Sequence, residues 1–327
     1  MNFRYKVLLY LLLFFTAAII SSYWYINKIS NIVIVEKDSL FLLKRNDSQK
    51  EIIKQLNFKK IKIEYYNWRL TSLFNNKNFI PKAGEYFIPK GSSIKNIQKL
   101  FQSGNTYTRY FTLIDGWTAI DLKKAMITAY GLSGEMPVLK EGIYKPDTYN
   151  YKWGYSRQNL LTRMKLGQNE LLNKVWENRP KNFILKNKNQ ILILASIIQK
   201  ESGNVNDSQL IASVFINRLK NKMRLQSDVT LAYGMKINGT KITKKMLKSN
   251  NPFNTYLING LPPTPISYPG KSAINALNDI KKSEYLYFVS NGIGGHRFSS
   301  TYKLHRKNVK LWKEFKIKDS TIEKKII

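Results

Sequence analysis

Apolar and polar positions alternate along this chain with several periods. From Val7 to Ile26 no charge interrupts the run VLLYLLLFFTAAIISSYWYI. Twenty residues at about 1.5 Å each give roughly 30 Å of helix, the thickness of a bilayer's hydrocarbon core. Arg4 and Lys6 precede the run, and Tyr23, Trp24 and Tyr25 stand where an interfacial aromatic belt belongs. The pattern predicts a short cytoplasmic tail (1–6), a transmembrane helix (7–26) and everything beyond it outside. A cleaved signal peptide is the competing reading, but the run exceeds the usual apolar length and lacks an A-x-A site.

Beyond the membrane the periods shorten. Ile32–Val35 and Leu40–Leu43 read as strands, Glu51–Leu56 and Glu64–Phe74 as helices, and AGEYFIP as a strand. A turn at Lys90 and Gly91 leads to a helix capped by Ser92 or Ser93 and carried by Ile94, Ile97 and Leu100. These make a small α+β module over 31–105. A strand over Thr108–Ile114 then passes through Asp115 and Gly116, an expected hinge, into a helix opened by Thr118 with Asp121 three residues on, a capping box. Residues 106–327 form a larger mixed α+β domain, with helices over Ser156–Trp176, Asn189–Glu201 and Ser208–Lys222. Four of the ten prolines fall within Pro262–Pro269, which predicts a stiff surface loop. EYLYFVS and HRFSS flank Asn291–Gly295 as a hairpin. The fold class is therefore α+β behind an N-terminal transmembrane helix.

One helix points to chemistry. QILILASII (190–198) is apolar nearly all round and should cross the core. Its face through Ile191, Leu194, Ala195 and Ile198 continues to Glu201 and Ser202. A carboxyl group emerging there would have a raised pKa and could serve as a general acid. The alternative is a helix-end glutamate turned to solvent or paired with a lysine. Carboxylates are scarce: residues 151–327 hold ten. Asp228, in the polar run Arg224, Gln226, Ser227, Asp228, is the attractive second member of a hydrolytic pair, and a helix cap is its plainer role.

Composition narrows the classes. The chain has no cysteine and two histidines, His296 and His305, so disulfides, thiol nucleophiles and His-rich metal sites are excluded. The formal charge of +33 invites a nucleic-acid partner. The lysines are scattered, however, and accompany abundant Asn, Ile and Tyr, as compositional drift would produce; no nucleic acid is expected. Gly270-Lys271-Ser272 has Pro265 where a phosphate loop needs glycine, GIGG (292–295) lacks a strand–turn–helix context, and no G-x-S-x-G elbow occurs.

Five strings go further: EGIYKPDTY (141–149), LASIIQKES (194–202), IASVFINRLKNKMRLQSDVTLAYG (211–234), NPFNTYLINGLPPTPISYPG (251–270) and YLYFVSNGIGGHRFSST (285–301). In order, they resemble the signature blocks of the endolytic murein transglycosylases, the YceG-like family (MltG). The resemblance implies that 31–105 is a LysM-like module and the remainder a catalytic domain. It also implies a membrane-anchored lytic transglycosylase of the bacterial inner membrane, with its C-terminal domain in the periplasm. Such an enzyme cuts nascent peptidoglycan strands to leave 1,6-anhydro-N-acetylmuramic acid ends and terminates elongation beside peptidoglycan polymerases. It places the catalytic acid at Glu201, with Ser202, Asn217, Gln226, Asp228, Asn254, Tyr256 and His296 as sugar-binding or orienting groups. No cofactor or metal is implied. Gln199 stands where many members carry another glutamate, Tyr268 replaces an Asn before Pro-Gly, Phe253 a Tyr, and Ile143 an aromatic residue. A two-carboxylate hydrolase and a non-catalytic wall-binding scaffold are the alternatives.

Overall fold

A computed structural model describes residues 3–75, 79–202, 205–237 and 242–326. Met1 and Asn2 of the expected cytoplasmic tail lie outside the described residues. The chain forms two compact units, residues 1–109 with 150–154, and residues 110–149 with 155–327.

The first unit begins with α1 (Phe3–Asn31), the one described helix long and apolar enough to cross a membrane. It continues with β1 (Ser39–Leu43), α2 (Gln49–Phe58), α3 (Tyr65–Asn75), β2 (Gly84–Ile88) and α4 (Ile94–Ser103). β1 and β2 pair antiparallel with Phe41 opposite Tyr86. Period-2 alternation sends these two rings inward, where Phe101 of α4 stacks on Phe41 at 5.2 Å and tilts against Tyr86 at 5.0 Å. Trp68, Ile52, Leu56 and Ile97 complete a fully buried core. Ser48 and Ser93 cap α2 and α4 by accepting the N–H groups of Glu51 and Asn96. Where the apolar pattern predicts a strand over Ile32–Val35, α1 instead runs on to Asn31 and only Val33 bridges to Ser93. The last turns of α1 are bound into this unit: Ile26, Ile29 and Ser30 are buried, and the Ser30 hydroxyl meets those of Thr71 and the Asn75 amide. Packing against α3 extends the helix past the end of its apolar run.

β3 (Arg109–Leu113) and β4 (Asp147–Tyr151) form a second two-stranded sheet. The second unit holds α5 (Ala119–Thr128), α6 (Arg157–Glu177), α7 (Lys188–Glu201), α8 (Val205–Lys220), α9 (Asp228–Gly234), α10 (Lys271–Asn275), the antiparallel hairpin β5 (Tyr287–Ser290) and β6 (His296–Ser299), and α11 (Tyr302–Ile326). Thr118 and Asp121 make the capping box that opens α5. α7 crosses the core, with Ile191 through Ile198 all buried among α6, α8, α9 and α10. The expected hinge residues Asp115 and Gly116 lie inside this unit, and the Gly116 N–H donates to the Tyr268 carbonyl at 2.8 Å.

The proline-rich loop departs from expectation. Residues 265–270 are buried, not on the surface. Their backbone is satisfied largely by α7 side chains: Ser196 Oγ accepts from Ile266 N at 3.0 Å and Gln199 Oε1 from Gly270 N at 3.0 Å, while Tyr268 N donates to the Trp117 carbonyl at 2.7 Å. Prolines bring no N–H into the core, so a few polar atoms on an otherwise apolar helix suffice to bury the segment. Gln199 thus has a structural task here.

Candidate active site

The end of α7 sets the site. Continuing the buried face by one turn brings Glu201 out at the last helical residue, half-buried. Its Oε1 accepts the Ser227 hydroxyl at 2.5 Å. Ser227 precedes α9 and would ordinarily cap it, yet makes no side-chain cap bond; its O–H is directed at Glu201 instead. Ser227 is itself held in place: its N–H donates to Thr255 Oγ1 at 2.9 Å and its carbonyl accepts Thr230 Oγ1 at 2.8 Å. None of the five ion pairs among the described residues includes Glu201, so the lysine-paired alternative does not hold.

Burial pushes the Glu201 carboxyl above the usual range. The Ser227 hydrogen bond opposes this, the neighbouring Asp228 charge adds to it, and His296 pulls the other way. Asp228, exposed at the first turn of α9, accepts the Tyr256 hydroxyl on Oδ1 at 2.7 Å. Burial and that carboxylate raise the Tyr256 phenol, which therefore stays a donor. On the other flank, His296 Nδ1 donates to Asp207 Oδ2 at 2.9 Å, and the Ser202 and Ser208 hydroxyls lie 2.8 Å apart. Glu201, Ser202, Asp228, Tyr256 and His296 thus come together in one polar neighbourhood.

Two of the expected residues, Asn217 and Asn254, hold backbone instead, and a third, Gln226, meets another side chain. Asn217 Nδ2 donates to the carbonyls of Ser283 and Tyr285 at 2.8 and 3.0 Å. Asn254, fully buried, gives Nδ2 to the carbonyls of Leu247 and Ser249 and accepts the Tyr256 N–H. Gln226 adopts a left-handed φ of 49°, and its Oε1 accepts from Arg218 at 3.2 Å. Asn254 thus shapes the loop that carries Tyr256, and Asn217 the segment leading into β5.

Sequence reasoning missed Ser227, Asp207 and Arg218. Ser227 stood between Gln226 and Asp228, which were singled out, but was read only as part of their polar run. Asp207 gave no signal, since its partner His296 is 89 positions away. Buried Arg218 binds the carbonyls of Arg224, Leu225 and Leu286 with its guanidinium. Among the described residues no group of three His, Asp or Glu side chains could hold a metal ion.

The chain is similar to several known proteins. A family model described as YceG-like matches residues 41–311. The endolytic murein transglycosylase of Bacillus subtilis (strain 168) is 34% identical over 168 residues, 51% of this chain and 46% of that protein. The protein of the same name from Streptococcus pneumoniae serotype 2 (strain D39) is 30% identical over 176 residues, 52% of this chain and 31% of that protein. The chain thus spans about half or less of the length of these curated relatives. A crystal structure of a Listeria monocytogenes protein described as yceG-like superposes with a TM-score of 0.53 at 27% identity, covering 83% of this chain and 99% of that one.

Proposed function

The chain belongs to the YceG-like family, and on that footing we propose that it is a membrane-anchored endolytic lytic transglycosylase that cleaves peptidoglycan glycan strands. The observation that carries this reading is Glu201: a carboxyl group at the end of a buried helix, held by one hydroxyl donor, with burial favouring its protonated form. Because Ser227 donates to Oε1, the acid proton belongs on the other oxygen, Oε2, free to face a glycosidic oxygen.

Glu201 first protonates the glycosidic oxygen as its bond to C1 breaks. The carboxylate so formed then removes the proton from the C6 hydroxyl of N-acetylmuramic acid, and that oxygen closes on C1. The product carries a 1,6-anhydro end and no water is consumed, so a single carboxyl group performs both steps. The Ser227 hydrogen bond stabilises the transient anion, and the Asp228 charge favours return of the proton. Ser202, Gln226, Tyr256 and His296 supply donors and acceptors for sugar hydroxyls; Asn217 and Asn254 position the loops. Residues 31–105 act as a LysM-like glycan-binding module and 106–327 as the catalytic domain. The α1 helix holds the enzyme in the bacterial inner membrane with its C-terminal domain in the periplasm, where cleavage beside peptidoglycan polymerases would limit strand length.

The proximity of Asp228 to Glu201 favours one alternative, hydrolysis by a carboxylate pair. Mass analysis of purified glycan digests separates them: transglycosylation yields ends lighter by one water than the reducing ends of hydrolysis.

A further inference from the structure

Two neighbouring cavities adjoin the C-terminal end of α1, both within the first unit. One, about 1010 Å³, is bounded by Val33–Glu36 and carries the ammonium groups of Lys60, Lys62 and Lys90 against the single carboxylate of Glu36. None of these lysines enters an ion pair among the described residues. The other, about 470 Å³, is walled by Ile29, Ile32, Ile34, Ile63 and Ile94, with Asn57, Lys62, Glu64 and Asn67 on its polar side. They share Ile34, Asn57 and Lys62, so a basic chamber opens beside one with an isoleucine wall.

Their depth follows from α1. Its apolar run ends at Ile26, and the five residues Asn27–Asn31 add about 7–8 Å of helix. The polar headgroup layer on each side of a bilayer is roughly 5–8 Å thick. Because Ile26, Ile29 and Ser30 are buried in the unit and Ser30 bonds to Thr71 and Asn75, the helix end and the cavities move as one piece. Leu73 and Phe74, exposed in the last turn of α3 whose Asn75 meets Ser30, supply further apolar surface.

We propose that this paired cavity binds an anionic phosphate-bearing membrane lipid, its phosphate among Lys60, Lys62 and Lys90 and its apolar portion against the isoleucines. A free phosphate ion would leave the isoleucine chamber unused. Binding would seat the first unit on the membrane surface at a set height. This inference rests on the reading of α1 as a membrane anchor.

The test is native mass spectrometry of the full chain released from membranes containing phosphatidylglycerol and phosphatidylcholine. Surface lysines near anionic lipid contribute about fivefold each in affinity. The wild type should therefore retain phosphatidylglycerol with at least roughly tenfold preference. The triple variant Lys60→Gln, Lys62→Gln, Lys90→Gln should lose that preference. An equally neutralised control, Lys44→Gln, Lys54→Gln, Lys95→Gln, should keep it. Equal retention of the two lipids by wild type, or equal loss in both triple variants, would overturn the site. Displacement of the retained lipid by millimolar inorganic phosphate would overturn the lipid assignment in favour of free phosphate. Alkaline carbonate extraction separates the premises: release of wild type from membranes would overturn anchor and site together, whereas retention without lipid preference would overturn the site alone.

Discussion

Two helices in this protein are apolar almost all round, and they meet opposite fates. In α7, Ile191 through Ile198 are all buried by protein, whereas the apolar window of α1 is 0% buried. Their polar residues differ in the same sense. In α1, Thr16 turns its hydroxyl back to the Leu13 carbonyl at 2.9 Å, satisfying itself within the helix as lipid requires. In α7, Ser196 makes the same kind of back-bond, to the Ile193 carbonyl at 2.7 Å, but its oxygen also accepts the Ile266 N–H. Gln199 accepts that of Gly270, so both take up the backbone of the proline-rich loop. Hydrophobicity alone does not distinguish them. Length and the destination of the few polar atoms do: one helix is long and apolar enough to cross a membrane, the other builds a dry wall that ends in a carboxyl group.

The largest expected effect breaks the chemical end of α7. Glu201→Gln should lower turnover by about 10²- to 10⁴-fold, measured as glycan ends released by the full-length enzyme. It should not cost stability at neutral pH. The folded-state pKa of Glu201 is raised, so its ionisation opposes folding: the penalty is absent below the unfolded pKa and fully present above the folded one. Thermal melts of wild type and variant should therefore diverge in the variant's favour as pH rises.

Packing comes next. Leu194→Ala removes a fully buried side chain from α7 and should cost about 2–5 kcal/mol in urea unfolding. Leu11→Ala, on the exposed face of α1, should change the same measurement by no more than about 0.5 kcal/mol. An Arg at that position sharpens the contrast: Leu11→Arg should cost roughly 2.5–3.5 kcal/mol of membrane insertion, read as the fraction integrated into membranes, with the unfolding of the second unit unmoved.

The smallest effects are two pH shifts of opposite sign. A general acid fails as pH rises through its pKa, so the alkaline limb of the rate profile reports Glu201. The Ser227 hydrogen bond lowers that pKa and the Asp228 charge raises it. Ser227→Ala should consequently move the limb to higher pH, and Asp228→Asn to lower pH. Shifts in the same direction would show that these neighbours do not act through the carboxyl group.

Much of this was legible in residue order because it depends on local period. The stripe from Ile191 to Glu201, the caps at Ser93 and Thr118, and the β5–β6 hairpin all follow from spacing within one element. What escaped depends on distant partners. Pro265–Gly270 carry the composition of a surface loop, and only Ser196 and Gln199 of another element make their burial possible. Ile32–Val35 looks like a strand until Ile29 and Ser30 are seen packed in the first unit, which extends α1 to Asn31. In the site, Glu201 was readable as the end of a buried face. Ser227 and Asp207 were not, because a hydroxyl before a helix resembles a cap and an aspartate gains its meaning from a histidine brought in by the hairpin.

The central claim, that one protonated carboxyl group cleaves the strand and then serves as the base, is tested most directly by digesting purified glycan strands in water enriched in oxygen-18 and weighing the fragments. The account predicts anhydro-ended products with no heavy oxygen, absent when Glu201→Gln replaces the wild type. Reducing ends that carry the label would contradict it.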